Sequence, residues 1–311
     1  MSATSDRTLG DADTATPSLA PAVSGPAGSA SAVKLLIRHR TRYRYSAPVK
    51  ESFNELRLQP VSNEHQTCED FQLRIEPQVA VRRYLDFYRN WVHHFDLAAP
   101  HTALVVGSRT RVTTNRANWL DPDATPTPLT RLPKLARMER CSDYLPSSDQ
   151  IGSDPAVWRL SVDATAGQTD LWQAAQALNR FVHSHLTYTP RSTHATTPMR
   201  DALAARVGVC QDFAHVLIGM CRSLQIPALY ASGYLCTPGA QASHAWAEVF
   251  LPDIGWRALD PTHARQPDER YVKIAVGRDY AEVPPTRGHY KGITHRTMDV
   301  DVSVDEILGE G

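Results

Sequence analysis

Two thirds of the way along this chain lies the segment Gly208-Val209-Cys210-Gln211-Asp212-Phe213-Ala214-His215, from which the rest can be worked out. Small and apolar residues then recur at helical spacing as far as Leu224. The Ile-Pro pair that follows ends the run, so the pattern predicts a helix that begins at Cys210. Gly208 is expected to end the preceding helix, because glycine tolerates a left-handed turn.

The position of Cys210 favours a reactive thiol. In the first turn of a helix the unpaired N–H groups and the helix dipole stabilise an anion, so a thiolate there is a better nucleophile. The alternative is a small buried core residue, as most free cysteines are. The Cys210 backbone N–H is also placed to bind an oxyanion, and Tyr188, Trp246 and Gln211 are candidates for a second donor. His215 lies about 140° around the helix and is expected to be structural.

A histidine and an aspartate follow in two predicted strands. The alternation from His244 to Phe250 predicts one strand, residues 256–260 predict the next, and residues 251–255 have turn composition. If opposed residues have an even index sum and no bulge intervenes, His244 and Asp260 share a face. Such an aspartate would fix the imidazole tautomer while the other ring nitrogen faces the thiol. The alternatives are a structural His–Asp pair and an aspartate that only begins an Asp-Pro turn.

Together these motifs resemble the bacterial transglutaminase-like superfamily, and the likeness covers nearly all of the chain from about Val33 onward. Besides the segment from Gly208 to His215, the segments that resemble the family are Cys221-Arg222-Ser223-Leu224-Gln225-Ile226-Pro227-Ala228, Ser232-Gly233-Tyr234, Ser243-His244-Ala245-Trp246 and Trp256-Arg257-Ala258-Leu259-Asp260-Pro261-Thr262. The resemblance implies a papain-like fold with Cys210 as nucleophile, His244 as general base and then acid, and Asp260 as the group that orients the imidazole. One departure is His263, where the family often has asparagine, which adds a second imidazole near this set.

Composition divides the chain into three predicted parts. Residues 1–32 are rich in Ala, Ser, Thr, Pro and Gly, which predicts a disordered tail without the pattern of a secretory signal. Residues 33–120 show an alternation of period two in several short strands and predict a β-rich domain, which also resembles the N-terminal region that accompanies this family. Residues 121–311 are predicted to form the transglutaminase-like catalytic core with a C-terminal β extension. The expected fold class is therefore α+β.

A row of arginines stands out in the predicted β-rich domain. Arg38, Arg40, Arg42 and Arg44 alternate with the residues of the opposite strand face. They could form a basic surface for an anionic partner, or a solvated face whose aliphatic stems cover apolar neighbours. Charge runs of this kind usually belong to solvated faces, and we favour that interpretation.

Charge and cysteine usage exclude several classes of protein. The 33 basic and 33 acidic residues balance, which argues against a nucleic-acid or membrane-surface protein, and no apolar run approaches the ~20 residues of a membrane span. The five cysteines are odd in number and lack Cys-x-x-Cys spacing, so we expect neither a disulfide framework nor a zinc site, and a reducing, cytoplasmic location. No metal or cofactor is predicted, because His93-His94 and His183-x-His185 lack further ligands at metal-site spacing.

The predicted chemistry is acyl transfer on a peptide or amide substrate through a thioester on Cys210. Water as the acceptor would make the protein a peptidase or amidase, and this is favoured because it needs no second substrate site. An amine acceptor would make it a protein-glutamine gamma-glutamyltransferase that crosslinks proteins. A third possibility, a non-catalytic peptide-binding module on the same fold, ranks last because no member of the catalytic set is missing.

Overall fold

The computed structural model describes residues 8–9, 32–115, 126–237 and 243–307, whose strands form an eight-stranded sheet, a four-stranded sheet and a two-stranded ladder. The strands are β1 (Thr8–Leu9), β2 (Val33–Leu56), β3 (Gln66–Glu76), β4 (Arg82–Leu85), β5 (Trp91–Leu97), β6 (His101–Thr114), β7 (Thr187–Tyr188), β8 (Val207–Gly208), β9 (Ala228–Leu235), β10 (Ser243–Leu251), β11 (Gly255–Leu259), β12 (Tyr271–Gly277), β13 (Thr286–Lys291) and β14 (Arg296–Glu306). The helices are α1 (Leu132–Leu135), α2 (Glu139–Ser142), α3 (Pro155–Ala164), α4 (Leu171–His185), α5 (Met199–Ala205) and α6 (Cys210–Ser223), with single 3₁₀ turns at Leu129–Arg131 and Tyr280–Glu282. The predicted α+β class is confirmed.

The predicted disordered tail lies almost wholly outside the described residues. Its described residues are Ala32 and strand β1, which pairs with β13. Among the described residues, no helix is both long and apolar enough to cross a membrane.

The first sheet is organised around β2, a strand of 24 residues. The first half of β2 pairs with β6 and β14, and its second half pairs with β5 and β13, so the strand runs through both parts of the sheet. The sequence predicted several short strands here, and that expectation is wrong for β2. Pro48 interrupts the alternation but does not end the strand, because it lies where the pairing with β6 shifts register between Arg44 and Val49.

The arginine row of β2 lies opposite a row of acidic residues on the last strand. Arg38 pairs with Asp305 at 2.9 Å and Arg42 pairs with Asp299 at 3.0 Å. All four side chains are at least partly exposed, so each pair contributes about 1 kcal/mol or less. These pairs favour the antiparallel register of β14 on β2. The predicted domain boundaries stay a prediction, but β13 and β14 hydrogen-bond to the first sheet and not to that of the core.

The second sheet carries His244 and packs against the helix that begins at Cys210. Its four antiparallel strands run in the order β11-β10-β9-β12. Helix α6 packs against β10 and β9, and Ala245, Ala247 and Val249 on one face of β10 share a buried cluster with Phe213 and Leu217 of the helix. This packing fixes the start of α6 relative to the sheet.

Two side-chain amides, one on β3 and one in the loop before β5, bind the outer edge of β12, the edge strand of the second sheet. The amide of Gln66 donates to the Lys273 carbonyl at 2.7 Å and accepts from the Lys273 N–H at 2.8 Å. Asn90 forms the same pair of bonds with the backbone of Val276, both at 2.8 Å. An unpaired edge strand leaves backbone groups without partners, and the two amides supply them. The two sheets are therefore joined through backbone groups of β12.

The turns before α6 differ from the prediction in one respect. Helix α5 ends at Ala205, and Arg206, with φ of 56°, takes the left-handed conformation that we expected of Gly208. That expectation for Gly208 is wrong. Glycine is required there for space instead, because a Cβ would lie 2.7 Å from the Cβ of Asp212. Helix α4 is capped by Asp170, which accepts from the Gln173 N–H at 2.9 Å.

We expect Gly233→Ala to destabilise the fold. A Cβ at this position would overlap the Val272 carbonyl oxygen and lie 2.5 Å from the Trp246 ring, neither of which can move freely. Overpacking of this kind costs about 1–3 kcal/mol of unfolding free energy. Gly107→Ala is the matched control in another strand, where the nearest atom to a Cβ is 3.9 Å away. Urea unfolding measures both, and equal losses would contradict the account.

Candidate active site

Cys210 begins α6 at a turn closed by the side chain of Asp212. The Asp212 carboxylate accepts from the Val209 N–H at 2.8 Å and from the Thr193 hydroxyl at 2.6 Å. Burial raises the pKa of Asp212, and these two hydrogen bonds oppose that effect. The thiol of Cys210 is thus presented from a turn that its own neighbours hold rigid, and its residue is half-buried.

The prediction that His244 and Asp260 share a face required an even index sum for opposed residues of β10 and β11, and the observed pairing has one. Ala247 lies opposite Leu259 and the register continues without a shift, so even-numbered positions of the two strands share a face. Nε2 of His244 lies 2.8 Å from Oδ2 of Asp260. Both residues are buried. Because Nε2 is occupied by Asp260, Nδ1 is the ring nitrogen left for a thiol.

The carboxylate of Asp260 is enclosed by donors. Besides His244, Oδ2 accepts from Nδ1 of His263 at 2.7 Å and from the hydroxyl of Tyr271 at 2.6 Å. Oδ1 accepts from the Thr262 N–H at 2.8 Å. Burial by itself would raise the pKa of Asp260, but the two imidazoles hold it well below its usual range. The carboxylate therefore keeps its negative charge in a fully buried position.

The proton affinity of His244 reflects its neighbours. Burial lowers the pKa of this imidazole, while the charge of Asp260, its hydrogen bond and a hydrogen bond with Cys210 raise it, to about 10 in all. Asp260 therefore binds the imidazole of His244, and Cys210 lies close enough to the same ring to affect its pKa. Such an arrangement can take a proton from a thiol and hold it on the imidazole.

The structure also places the other residues that were considered. Nε2 of Gln211 donates to the Ala195 carbonyl at 2.9 Å, and the Trp246 indole lies 3.4 Å from Glu248, so both amide and indole have acceptors already. Burial and then the charges of Cys210 and Asp212 raise the pKa of Tyr188, the third candidate oxyanion donor. His215 accepts from the Tyr280 N–H at 3.1 Å, which agrees with a structural role.

Sequence reasoning noted a second imidazole near the site but not its contact with Asp260, and it missed Tyr271 entirely. His263 follows Asp260 by three residues, a spacing that could have suggested a shared turn. Tyr271 enters from β12, which pairs with β9, and no local pattern in the sequence indicates that its hydroxyl reaches Asp260.

One group in the described part of the chain could hold a metal ion. Ligand atoms of His244, Asp260 and His263 all lie within 4.8 Å of one another. The same nitrogen atoms point at the carboxylate in hydrogen bonds, as acid–base chemistry requires. The expectation that no metal takes part stays a prediction.

Comparison with known families gives two matches. Residues 35–113 match the family described as "Bacterial transglutaminase-like N-terminal region". Residues 159–261 match the family described as "Transglutaminase-like superfamily", a span that contains all three site residues.

Individual proteins show the same likeness. The chain is 34% identical over 283 residues to the uncharacterized protein ML0607 of Mycobacterium leprae, covering 88% of this chain and 99% of that protein. It is 29% identical over 136 residues to a protein-glutamine gamma-glutamyltransferase of Pseudomonas aeruginosa, covering 38% of this chain and 20% of that protein. The structure of "a Putative Cysteine Protease from Cytophaga hutchinsonii" has a TM-score of 0.73 at 21% identity over 90% of this chain and 93% of that chain, which shows a shared fold.

We expect Asp260→Asn to change how stability depends on pH. A folded-state pKa of about 10 for His244, against 6.5 for a free imidazole, stabilises the fold fully below pH 6.5, and this contribution is lost as the pH rises towards 10. Without the carboxylate, burial lowers the pKa of His244, so the decline over this window should vanish. Urea unfolding between pH 6.5 and 9.5 measures it.

The control for this experiment is Asp299→Asn, which removes a carboxylate that is 58% exposed in the ion pair with Arg42. Its unfolding free energy should fall with pH in parallel with that of the wild type. Parallel curves for Asp260→Asn and the wild type would contradict the assigned electrostatics.

Proposed function

Since the chain belongs to the transglutaminase-like superfamily, we propose that it is a cysteine-dependent enzyme that cleaves amide or peptide bonds. The observation that carries this proposal is the buried contact of His244 with Asp260 at 2.8 Å, with Cys210 close enough to raise the pKa of the same imidazole. A structural His–Asp pair has no need of a cysteine at the start of a helix on the other side of the ring. The arrangement instead matches what a thiol nucleophile needs for activation.

The reaction begins when His244 takes the thiol proton and the sulfur of Cys210 attacks the amide carbonyl carbon. The carbonyl oxygen becomes an oxyanion, which the Cys210 N–H at the helix start can bind. As the C–N bond breaks, His244 returns the proton to the leaving amine, and the acyl group remains on Cys210 as a thioester. Asp260 stabilises the imidazolium while it holds the proton.

The acyl group then passes to an acceptor. With water, His244 takes one proton as the oxygen attacks the thioester, and the proton returns to sulfur when the acid leaves. Hydrolysis is the proposed reaction, because it needs no second substrate site. The second candidate is transfer to an amine, which is favoured by the likeness to the gamma-glutamyltransferase of Pseudomonas aeruginosa over 136 residues. That match covers 20% of the Pseudomonas aeruginosa protein, so we propose transfer to an amine only as the alternative to hydrolysis.

The five cysteines without disulfide bonds support a reducing location, and we propose the cytoplasm. The substrate class is a peptide or other amide, and neither nucleic acid nor membrane is part of the proposal.

We expect Cys210→Ala to lose turnover by at least about a thousandfold, because alanine has no thiol to form the thioester beside His244. The measurement is mass spectrometry of a glutamine-rich peptide pool incubated with and without a primary amine. Cleaved or deamidated peptides, unaffected by the amine, would identify a hydrolase, and amine-adducted peptides a transglutaminase. Cys236→Ala, which removes a thiol outside the site, should keep full activity.

Absence of turnover in the wild type, together with a Cys210 that iodoacetamide does not label, would contradict the proposal and favour a binding module. Labelling has an internal reference in Cys221 of the same helix. That thiol is fully buried, and burial raises its pKa to about 12, so it should stay unmodified near neutral pH.

A further inference from the structure

The carboxylate of Asp260 binds more side chains than a Cys-His-Asp set requires. Its Oδ2 atom alone accepts from His244 at 2.8 Å, from His263 at 2.7 Å and from Tyr271 at 2.6 Å. In the proposed reaction only His244 exchanges protons with the thiol and the substrate. The other two donors therefore compete with His244 for the charge on the oxygen that it uses.

The direction of the Tyr271 hydrogen bond is fixed by a neighbour. Nε of Arg265 lies 2.9 Å from the Tyr271 hydroxyl oxygen, and a guanidinium can only donate. The hydroxyl oxygen accepts from Arg265, so its own hydrogen is directed to Oδ2 of Asp260. Tyr271 is thus a donor to the carboxylate and not a competing acceptor.

His263 is the member of the group that lies nearest to solvent. Its side chain is 26% exposed, against 8% for His244 and 0% for Asp260. Its backbone N–H also lies 3.3 Å from Oδ1 of Asp260, so the turn after β11 binds the carboxylate through both main chain and ring. The ring is therefore held against Oδ2 by the turn itself.

We propose that His263 is a positioning residue. Together with Tyr271 it holds the Asp260 carboxylate and weakens the attraction of that carboxylate for the proton on His244. This inference rests on the proposed function, because it concerns how readily His244 gives that proton to the leaving amine. A hydrogen bond to a charged group is stronger than one between neutral groups. A carboxylate that shares its charge among three donors attracts any one proton less strongly.

The electrostatic surroundings of His244 agree with this role. Burial lowers the pKa of His244, and Asp260 and Cys210 outweigh burial and raise it to about 10. An imidazolium is a better general acid when its pKa lies near the operating pH, so a further rise would slow protonation of the leaving group. The titratable groups that face the ring are Cys210 from α6, Asp260 and His263 from the turn after β11, and Tyr271 from β12 with Arg265 behind it.

The test compares His263→Asn with His263→Ala. The Nδ2 atom of asparagine stands where Nδ1 of histidine does, so the first variant keeps a donor to Asp260 without the imidazole, whereas the second removes it. The readout is the rate at which iodoacetate modifies Cys210, followed by mass spectrometry from pH 5 to 11. An imidazolium attracts this anionic reagent, so the rate falls at high pH where His244 loses its proton.

In the pH profile of Cys210 alkylation, the fall in rate at high pH is called the high-pH limb. We expect the midpoint of this limb to lie about one pH unit higher in His263→Ala than in the wild type, the equivalent of one hydrogen bond to a charged group. The limb of His263→Asn should stay within a few tenths of the wild type. Turnover of an amide substrate at neutral pH should fall about tenfold in the alanine variant and much less in the asparagine variant.

Two results would overturn the inference. One is an unmoved limb in His263→Ala, even with reduced turnover, since that would be a merely structural effect. The other is an equal shift in both variants. Tyr271→Phe removes a second donor from the same oxygen and should shift the limb in the same direction, which keeps the inference testable if His263→Ala does not fold. Alkylation needs no substrate, so failure of the proposed function leaves this measurement intact.

Discussion

A buried negative charge on Asp260 is the constraint on which the rest of the site depends. An unpaired carboxylate in the protein interior costs several kcal/mol, and such groups persist only when hydrogen bonds surround them. Here the donors come from separate parts of the fold: His244 from β10, backbone N–H groups from the turn after β11, and Tyr271 from β12. Three of the four strands of the second sheet, β10, β11 and β12, thus carry or lead into a donor to this one carboxylate.

The same dependence reaches into the first sheet. Tyr271 lies on an edge strand, and edge strands shift easily when their outer backbone groups have no partners. Gln66 and Asn90 bind those groups on β12 with two hydrogen bonds each. The β-rich region thus stabilises the strand that carries one of the Asp260 donors. It acts as a structural part of the site as well as a neighbour in sequence.

Much of this site is readable from sequence because its parts are local patterns. A helix start at Cys210 and an alternating strand pair at His244 and Asp260 need only periodicity and turn composition, and the observed register has the required parity. The full course of β2 was not readable, because Pro48 looks like a strand break until the register shift beside it is known. Tyr271 was missed for a related reason: its contact depends on tertiary packing between strands, which leaves no periodic signal.

The pairing of β14 with β2 has a consequence for biosynthesis. Strand β2 begins at Val33, whereas the strand that completes its outer side runs from Arg296 to Glu306. Nascent chains fold from the N-terminus as they leave the ribosome, and about 240 residues are translated between the end of β2 and the start of this partner. During that interval its edge is open to other strands. The positive charges at alternate positions of the arginine row repel a second copy of β2. They protect this edge until β14, which carries the opposing aspartates, pairs with it.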